Sequence, residues 1–319
     1  MVCIIIAAYN AEATIARAIA SALAQPEVSE IIVVDDCSGD NTIAMAKSAD
    51  DGTGRLKILT QPKNSGPSAA RNHAIDESSS DWISILDADD FFLPGRIKTL
   101  LFYSDEADFI ADDMWQVQEN AIDGPRKNLL GKSMPQPQMI DFITFVLSNI
   151  TSAKHERGEL GFIKPLMRHE FLKAHNLRYQ EHMRLGEDFE LYARALALKA
   201  HMIIIPSQGY VSVVRSNSLS GKHSELDLLN LRDCDNAILH SIPLSKTEKN
   251  ALRQHYLSID CRLQWRLLIN AVKNKNIAAA IATFLRPYPV PVYLSKQLAG
   301  EFYRRVAARN RRIFRSFCR

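Results

Sequence analysis

Over the first 115 residues, apolar runs alternate with stretches whose apolar residues recur at helical spacing. "CIIIAAY" (3–9) and "EIIVVDD" (30–36) are β-branched runs, the composition expected of buried parallel strands. Between them, "AEATIARAIASALAQ" places Ile15, Ile19, Ala22 and Leu23 at i, i+4, i+7 and i+8, which predicts a helix with one apolar face. "NTIAMAKSA" predicts a second helix, "LKILTQ" (56–61) a third strand, "PSAARNHAI" a helix opened by Pro67, "DWISILD" (81–87) a fourth strand and "PGRIKTLLFY" a further helix. This βαβαβαβ order predicts a parallel sheet with helices on both faces. Such sheets bind ligands beyond the carboxyl ends of their strands. Polar residues gather at those ends: Tyr9-Asn10, Asp35-Asp36, Lys63-Asn64 and Asp87–Asp90.

After residue 120 the rhythm changes. "DGPRKNLLGKSMPQPQ" (123–138) reads as a loop, "RHEFLKAHN" and "EDFELYARALALKA" (187–200) as helices, and "HMIIIPSQGYVSVVR" as one or two strands. Residues 225–286 are helix-compatible throughout, "RPYPVPVY" (286–293) punctuates, and a last basic helix is expected from about Ser295. The expected organisation is an α/β body over 1–222, split into halves 1–115 and 116–222, followed by a mainly helical extension over 223–319.

Composition adds exclusions. An apolar share of 46% with 24% charged residues is ordinary for a soluble globular chain, and no apolar run approaches the roughly 18–20 residues that span a bilayer. "MVCIIIAAYN" reads as a first strand and not a signal peptide. Cys3, Cys37, Cys234, Cys261 and Cys318 are odd in number and scattered, which argues against a disulfide framework or a zinc site and suits a reducing cytosol. The net charge of +3 hides an asymmetry, because the seven Arg of residues 304–319 leave the rest of the chain at −4. Within that end, Leu298, Phe302, Val306, Ile313 and Phe317 recur at helical spacing, interrupted by Arg309. A cationic amphipathic helix of this kind fits an anionic membrane surface; the alternative is a helix packed on its own domain with solvated Arg. No aromatic stacking platform accompanies the charge, so nucleic acid is a poor fit.

The chemistry concentrates in "ISILDADDFFLPG" (83–95), where an apolar strand ends in three carboxylates within four positions. Two like charges about 4 Å apart repel by about 1 kcal/mol in water and about 4 kcal/mol at an effective dielectric of 20. A divalent cation is the first candidate to offset that, and a solvated acidic turn is the alternative. The first strand is followed by "AAYNAEA", without the glycines of a dinucleotide fingerprint, and no GxxxxGK[ST] occurs.

In order, "IIIAAYN", "IIVVDDCSGDNT", "NSGPSAARNHAI" and "WISILDADD" resemble the donor half of family 2 glycosyltransferases of the GT-A fold, a Rossmann-like nucleotide-diphospho-sugar transferase architecture. "LRYQEHMRLGEDFELYARAL" (177–196) resembles the acceptor-half G-E-D motif and "VRSNSLS" (214–220) the family's R-x-x-S-L-S segment, so the likeness covers residues 2–220. The N-terminal part is especially similar to glucosyltransferases of succinoglycan-type exopolysaccharide assembly. Two departures stand out: Ala8 replaces the usual Pro, and Cys37 replaces a turn Gly, so that loop is expected to use a less strained backbone or a tolerant neighbour.

The resemblance implies roles. Tyr9, with the backbone about Ala7 and Ala8, flanks uracil or ribose. Asp36 accepts from the base imide or, alternatively, caps a helix. Lys63 lies on the nucleotide side, Arg71 meets the base or a phosphate unless it is a surface salt bridge, and Asp87 faces the ribose. Asp89 is the direct ligand of Mg2+ or Mn2+. Asp188 in "GEDFEL" is the general base, the alternative being an acidic helix start, and Glu187 orients the site or hydrogen-bonds the acceptor. Arg215 and Ser218 close over the diphosphate, and His223 is either a further metal ligand or a solvated loop residue. The implied reaction is inverting transfer of a sugar from a UDP-sugar to a lipid-linked oligosaccharide at the cytoplasmic membrane face. A silent nucleotide-sugar-binding protein and a membrane-surface adaptor are the rival classes.

Overall fold

A computed structural model describes residues 1–131, 136–150, 160–215 and 224–317, with side chains as far as Arg304. The first half follows the alternation read from the chain: β1 (Val2–Ala8), α1 (Ile15–Leu23), β2 (Val28–Asp35), α2 (Thr42–Ser48), β3 (Leu56–Thr60), α3 (Pro67–Glu77), β4 (Trp82–Ile85), the short β5 (Phe91–Phe92) and α4 (Arg96–Leu101). Next come β6 (Phe109–Asp112), β7 (Trp115–Gln118), β8 (Lys127–Asn128), β9 (Gln138–Ile140), α5 (Phe142–Ser148), β10 (Leu166–Arg168), α6 (His169–Ala174), α7 (Glu187–Ala197), β11 (Met202–Ile205) and β12 (Tyr210–Val214). Four helices follow: α8 (Glu225–Ser241), α9 (Lys246–Lys273), α10 (Ile277–Phe284) and α11 (Val290–Phe317).

The main sheet has the order β3-β2-β1-β4-β10-β6-β11-β9. The first four strands are parallel, with Ala8 opposite Asp35, Asp35 opposite Thr60 and Ile5 opposite Ile85. Their carboxyl ends therefore lie side by side, and the residues just beyond them share one edge. Val2–Ile6 and Ile31–Val34 are buried throughout, which explains why these strands carry unbroken apolar runs instead of alternation. The parallel strands expected from the first 115 residues are β1 to β4; beyond them β10 enters antiparallel to both β4 and β6, and β9 is antiparallel to β11. Three residues of β10 are too few to show a period. The second sheet, β5-β12-β7-β8, ties the end of the DADD turn to the segment leading to Arg215.

Residues 225–286 form three helices. Capping boxes at Ser224/Asp227 and Ser245/Glu248 start α8 and α9, and the Asn276 side chain caps α10. The last helix begins at Val290 and not at Ser295: Pro291 lies in its first turn, where a missing N–H has no helical acceptor to disappoint. No helix among the described residues is long and apolar enough to cross a membrane.

Cys37 itself takes the left-handed conformation, φ 63°, so neither relief foreseen for its loop is used. Left-handed backbone costs an L-residue roughly 1–2 kcal/mol, part of which glycine's extra chain entropy offsets. Cys37→Gly is expected to stabilise the protein by about 1 kcal/mol and raise Tm by about 2 °C, with Cys37→Ala unchanged, as read by thermal melting.

Candidate active site

The DADD turn is held from beneath by a buried polar frame. Arg96, fully buried, pairs with Asp112 at 2.9 Å, donates to the Lys164 carbonyl at 2.6 Å and lies over the Phe92 and Tyr210 rings. Asp112 in turn accepts the backbone N–H groups of Gln208, Gly209 and Tyr210. The Tyr210 hydroxyl accepts from the Asp87 amide at 3.2 Å and donates to Asp90. Asp90 also accepts the Val213 N–H at 2.8 Å. Burial, then Asp87 and Asp89, push its pKa well above the usual carboxylate range. Asp90 is thus a clasp between the turn and β12, pointing away from the cleft chemistry.

Asp87 accepts from Arg71 at 3.0 Å and pairs with Lys164 at 3.2 Å. Burial disfavours its charge, but Lys164 and Arg71 outweigh burial and hold its pKa below the usual range. Asp89 is half-exposed. Its nearest described cation is the Arg215 Nε at 3.5 Å, and its carbonyl accepts from Arg17 at 2.6 Å. Burial and the neighbouring Asp87 raise its pKa.

Across the cleft, Gly186 sits at φ 74° before α7, and a Cβ there would lie 2.6 Å from Leu231 Cδ1. The left-handed glycine lets the chain turn so that Glu187 and Asp188 occupy the first helical turn, where the helix dipole favours carboxylates. Asp188 Oδ2 accepts from Lys164 Nζ at 2.6 Å. Asp188 Oδ1 is buried without a hydrogen-bond partner, 3.7 Å from Arg71. Arg71 Nη1 donates to Glu187 at 3.0 Å and the guanidinium lies 5.2 Å from the Tyr179 ring centroid. Its side chain is 6% exposed, so Arg71 is no surface salt bridge. Arg71 and Lys164 therefore each join Asp87, beyond β4, to the carboxylates at the start of α7. Burial opposes the charge on both, and the surrounding carboxylates, Asp188 first, outweigh it and raise both pKa values.

These groups line a cleft of about 520 Å³. Its lining includes Ala7, Tyr9, Asp87, Asp89, Lys164, Glu187, Asp188 and Arg215, with Leu231, His255 and Ile259 contributed by α8 and α9. His255 stacks on Phe189 at 4.2 Å and pairs with Asp235 at 2.8 Å, which fixes α8 and α9 against α7. A shallower hollow of about 630 Å³ over Asp76, Arg178 and Arg194 carries no comparable chemistry, since Arg178 pairs with Asp76 and Arg194 with Glu190.

Of the residues singled out in the sequence, Tyr9, Arg71, Asp87, Asp89, Glu187, Asp188 and Arg215 meet in this cleft. Ala8 is buried and does not line the cleft, its carbonyl accepting from the Asp36 amide at 2.8 Å. Asp36 lies off the cleft wall, buried, its two oxygens accepting the N–H groups of Ser65 and Gly66 at 2.8 Å each. Lys63 is exposed and also off the wall. Ser218 and His223 lie outside the described residues. Lys164 was not legible: it sits in "GFIKPLM" with no periodic or motif signal and meets Asp188 only through the fold.

Among the described residues no three His, Cys, Asp or Glu side chains converge as a metal cage. The donor set nonetheless fits a hard cation completed by ligand oxygens. Asp89 offers a carboxylate to the cleft, and Mg2+ sites commonly use one or two carboxylates plus substrate phosphates.

The family model described as "Glycosyl transferase family 2" matches residues 3–152. The chain is 46% identical over 301 residues to "Succinoglycan biosynthesis protein ExoU" of Rhizobium meliloti, spanning 94% of this chain and 87% of the relative. Over a shorter stretch of 99 residues, 31% of this chain and 38% of the relative, it is 37% identical to "UDP-Glc:alpha-D-GlcNAc-diphosphoundecaprenol beta-1,3-glucosyltransferase WfgD" of Escherichia coli. The crystal structure of S. aureus TarS 1–349 in complex with UDP-GlcNAc superposes with a TM-score of 0.62 at 18% identity, covering 88% of this chain and 90% of that one.

Proposed function

We propose, for a chain that belongs to glycosyl transferase family 2 and has its GT-A fold, that this glycosyltransferase moves a sugar, glucose by the likeness of its relatives, from a UDP-sugar to a hydroxyl of a lipid-linked oligosaccharide with inversion. The observation that carries the reading is the state of Asp188: one oxygen is fixed by Lys164, and the other is buried at the cleft without a hydrogen-bond partner. That is a carboxylate oriented to take a proton from an acceptor hydroxyl. In-line attack of the deprotonated hydroxyl on the anomeric carbon, from the side away from the diphosphate, would turn an α-donor into a β-linkage.

In this reading Tyr9 flanks the uracil, and Asp36 keeps lone-pair sites for the base imide N–H while it fixes the loop before α3. Asp87 faces the ribose, Arg71 holds Asp87 and Glu187 in register, Lys63 lies at the nucleotide edge, and Arg215 meets the diphosphate. Asp89 would hold Mg2+ or Mn2+ together with the donor's phosphates, and the bound ion supplies charge neutralisation for the departing diphosphate. Residues 1–222 form the transferase body, and 223–319 an extension that also walls the cleft. The basic end would bring the enzyme to the anionic cytoplasmic face of the membrane, where a lipid-linked acceptor resides.

The donor half of this reading is tested by thermal unfolding with UDP, GDP, dTDP and CMP, each with and without Mn2+. Ligand at 100 times its dissociation constant stabilises by about 2.7 kcal/mol. The expected result is a shift with UDP that needs Mn2+ and is lost in Asp89→Asn. A flat response to all four nucleotides would remove the donor assignment.

A further inference from the structure

Nine of the seventeen large apolar side chains that stand exposed among the described residues lie between Val272 and Tyr303, a tenth of the chain. Ile277 is 75% exposed, Leu285 79% and Tyr288 80%. Their exposure is not the by-product of a loose end, because the inner side of the same elements is packed: Val290 and Leu294 of α11 are buried against Cys261 and Leu268 of α9, with Trp265 and Phe284 beside them. Between the end of α9 and α10 runs an apolar groove of about 300 Å³ lined by Val272, Ile277, Ala280, Ile281 and Phe284. Exposed apolar side chains concentrated in this way mark an interaction site.

Charge selects the occupant. From Cys261 to Arg319 the chain holds thirteen Lys and Arg and a single acid, Glu301, while the rest holds 26 basic and 35 acidic residues. Lys273, Lys275 and Lys296 are exposed beside the apolar residues. A second copy seated on this face would oppose one strongly cationic surface to another, since a two-fold contact pairs a patch with itself. An anionic lipid surface satisfies both features at once, taking aliphatic and aromatic side chains at the acyl boundary and Lys or Arg among the phosphates.

We propose that the elbow formed by the end of α9, α10 and the start of α11 is a lipid-docking face, with Ile277, Ile281, Leu285, Tyr288 and Val292 entering an anionic leaflet. The basic tail read from the sequence then supplies long-range attraction, and this elbow supplies the insertion. The inference rests on the proposed lipid-linked acceptor for its purpose, but its evidence is independent of the cleft.

The test is co-sedimentation of the full chain with phosphatidylcholine vesicles, with and without phosphatidylglycerol, for the wild type and for Ile281→Asp/Leu285→Asp. Both substituted positions are exposed, so the fold should tolerate them, and melting temperature checks that it does. The expected result is binding to the anionic vesicles that exceeds binding to neutral ones by about tenfold or more and falls by about tenfold in the variant. The UDP and Mn2+ thermal shift should be the same in both proteins. Equal binding by wild type and variant, or no anionic preference, overturns the proposal. So does a wild-type dimer by light scattering that the variant dissolves, which would assign the face to a second copy. Vesicle binding that holds while the nucleotide shift is absent supports the docking face and counts against the transferase reading alone.

Discussion

Asp188→Asn is expected to lower kcat for sugar transfer by about 10³-fold while the UDP affinity stays within about twofold. The substitution keeps size and hydrogen bonding: the Asn oxygen can still accept from Lys164, and Lys164 keeps Asp87 as its ionic partner at 3.2 Å. What disappears is the anion proposed to remove the acceptor proton. Asp87 keeps Arg71 at 3.0 Å and Lys164 at 3.2 Å in the variant, so the turn that carries Asp87 and Asp89 retains its partners. Initial-rate kinetics alongside calorimetric UDP binding separate the two effects. A comparable loss of nucleotide affinity would instead make Asp188 part of the donor site.

Lys164→Met is expected to have the largest effect on stability. The ammonium is shared by Asp188 at 2.6 Å and Asp87 at 3.2 Å, and its side chain is 7% exposed. Removing one partner of a buried ion cluster costs about 3–5 kcal/mol, because the remaining charges stay desolvated. The pH dependence has a defined sign. In the wild type, the two cations hold the Asp87 pKa below its unfolded value, so that contribution is present above the ordinary carboxylate range and is lost only as pH falls through the folded pKa. In Lys164→Met the Asp87 carboxylate loses the larger of its two cationic supports and protonates more readily. The gap in Tm between wild type and variant should therefore be widest near neutral pH and narrow on acidification through the ordinary carboxylate range. Adding Asp188→Asn to Lys164→Met should recover part of the lost stability, a coupling that a double-mutant cycle measures. Additive losses and a pH-independent gap would mean that Lys164 acts through packing alone.

The legible parts of this protein are those in which one segment carries its own signal. Val2–Ile6 and Ile31–Val34 announce buried parallel strands because both faces are covered, and the carboxylates after β4 stand out because charge is costly at the end of such a strand. The G-E-D turn is legible for the same reason: a glycine able to take φ 74° and acids at a helix start are local requirements. What was hidden depends on meetings between distant segments. Lys164 is one lysine in an apolar stretch until the fold brings it to Asp87 and Asp188. Asp90 stands in the same acidic run as Asp87 and Asp89, and only the fold shows that Val213 and Tyr210 recruit it to hold β12. Asp36 looks free at a strand end, yet the loop before α3 folds back onto both of its oxygens. β10 has three residues and no period, and the prolines that looked like a break before α11 are partly its first turn.

The central claim, inverting transfer with Asp188 as base, is most directly tested by the anomeric configuration of the product. UDP-glucose would be supplied with Mn2+ and a lipid-linked oligosaccharide acceptor, and the new linkage read by proton NMR for wild type and Asp188→Asn. The account predicts a β-linked glucose formed by the wild type and turnover in Asp188→Asn lower by about 10³-fold. An α-linked product, or wild-type turnover in Asp188→Asn, would contradict it.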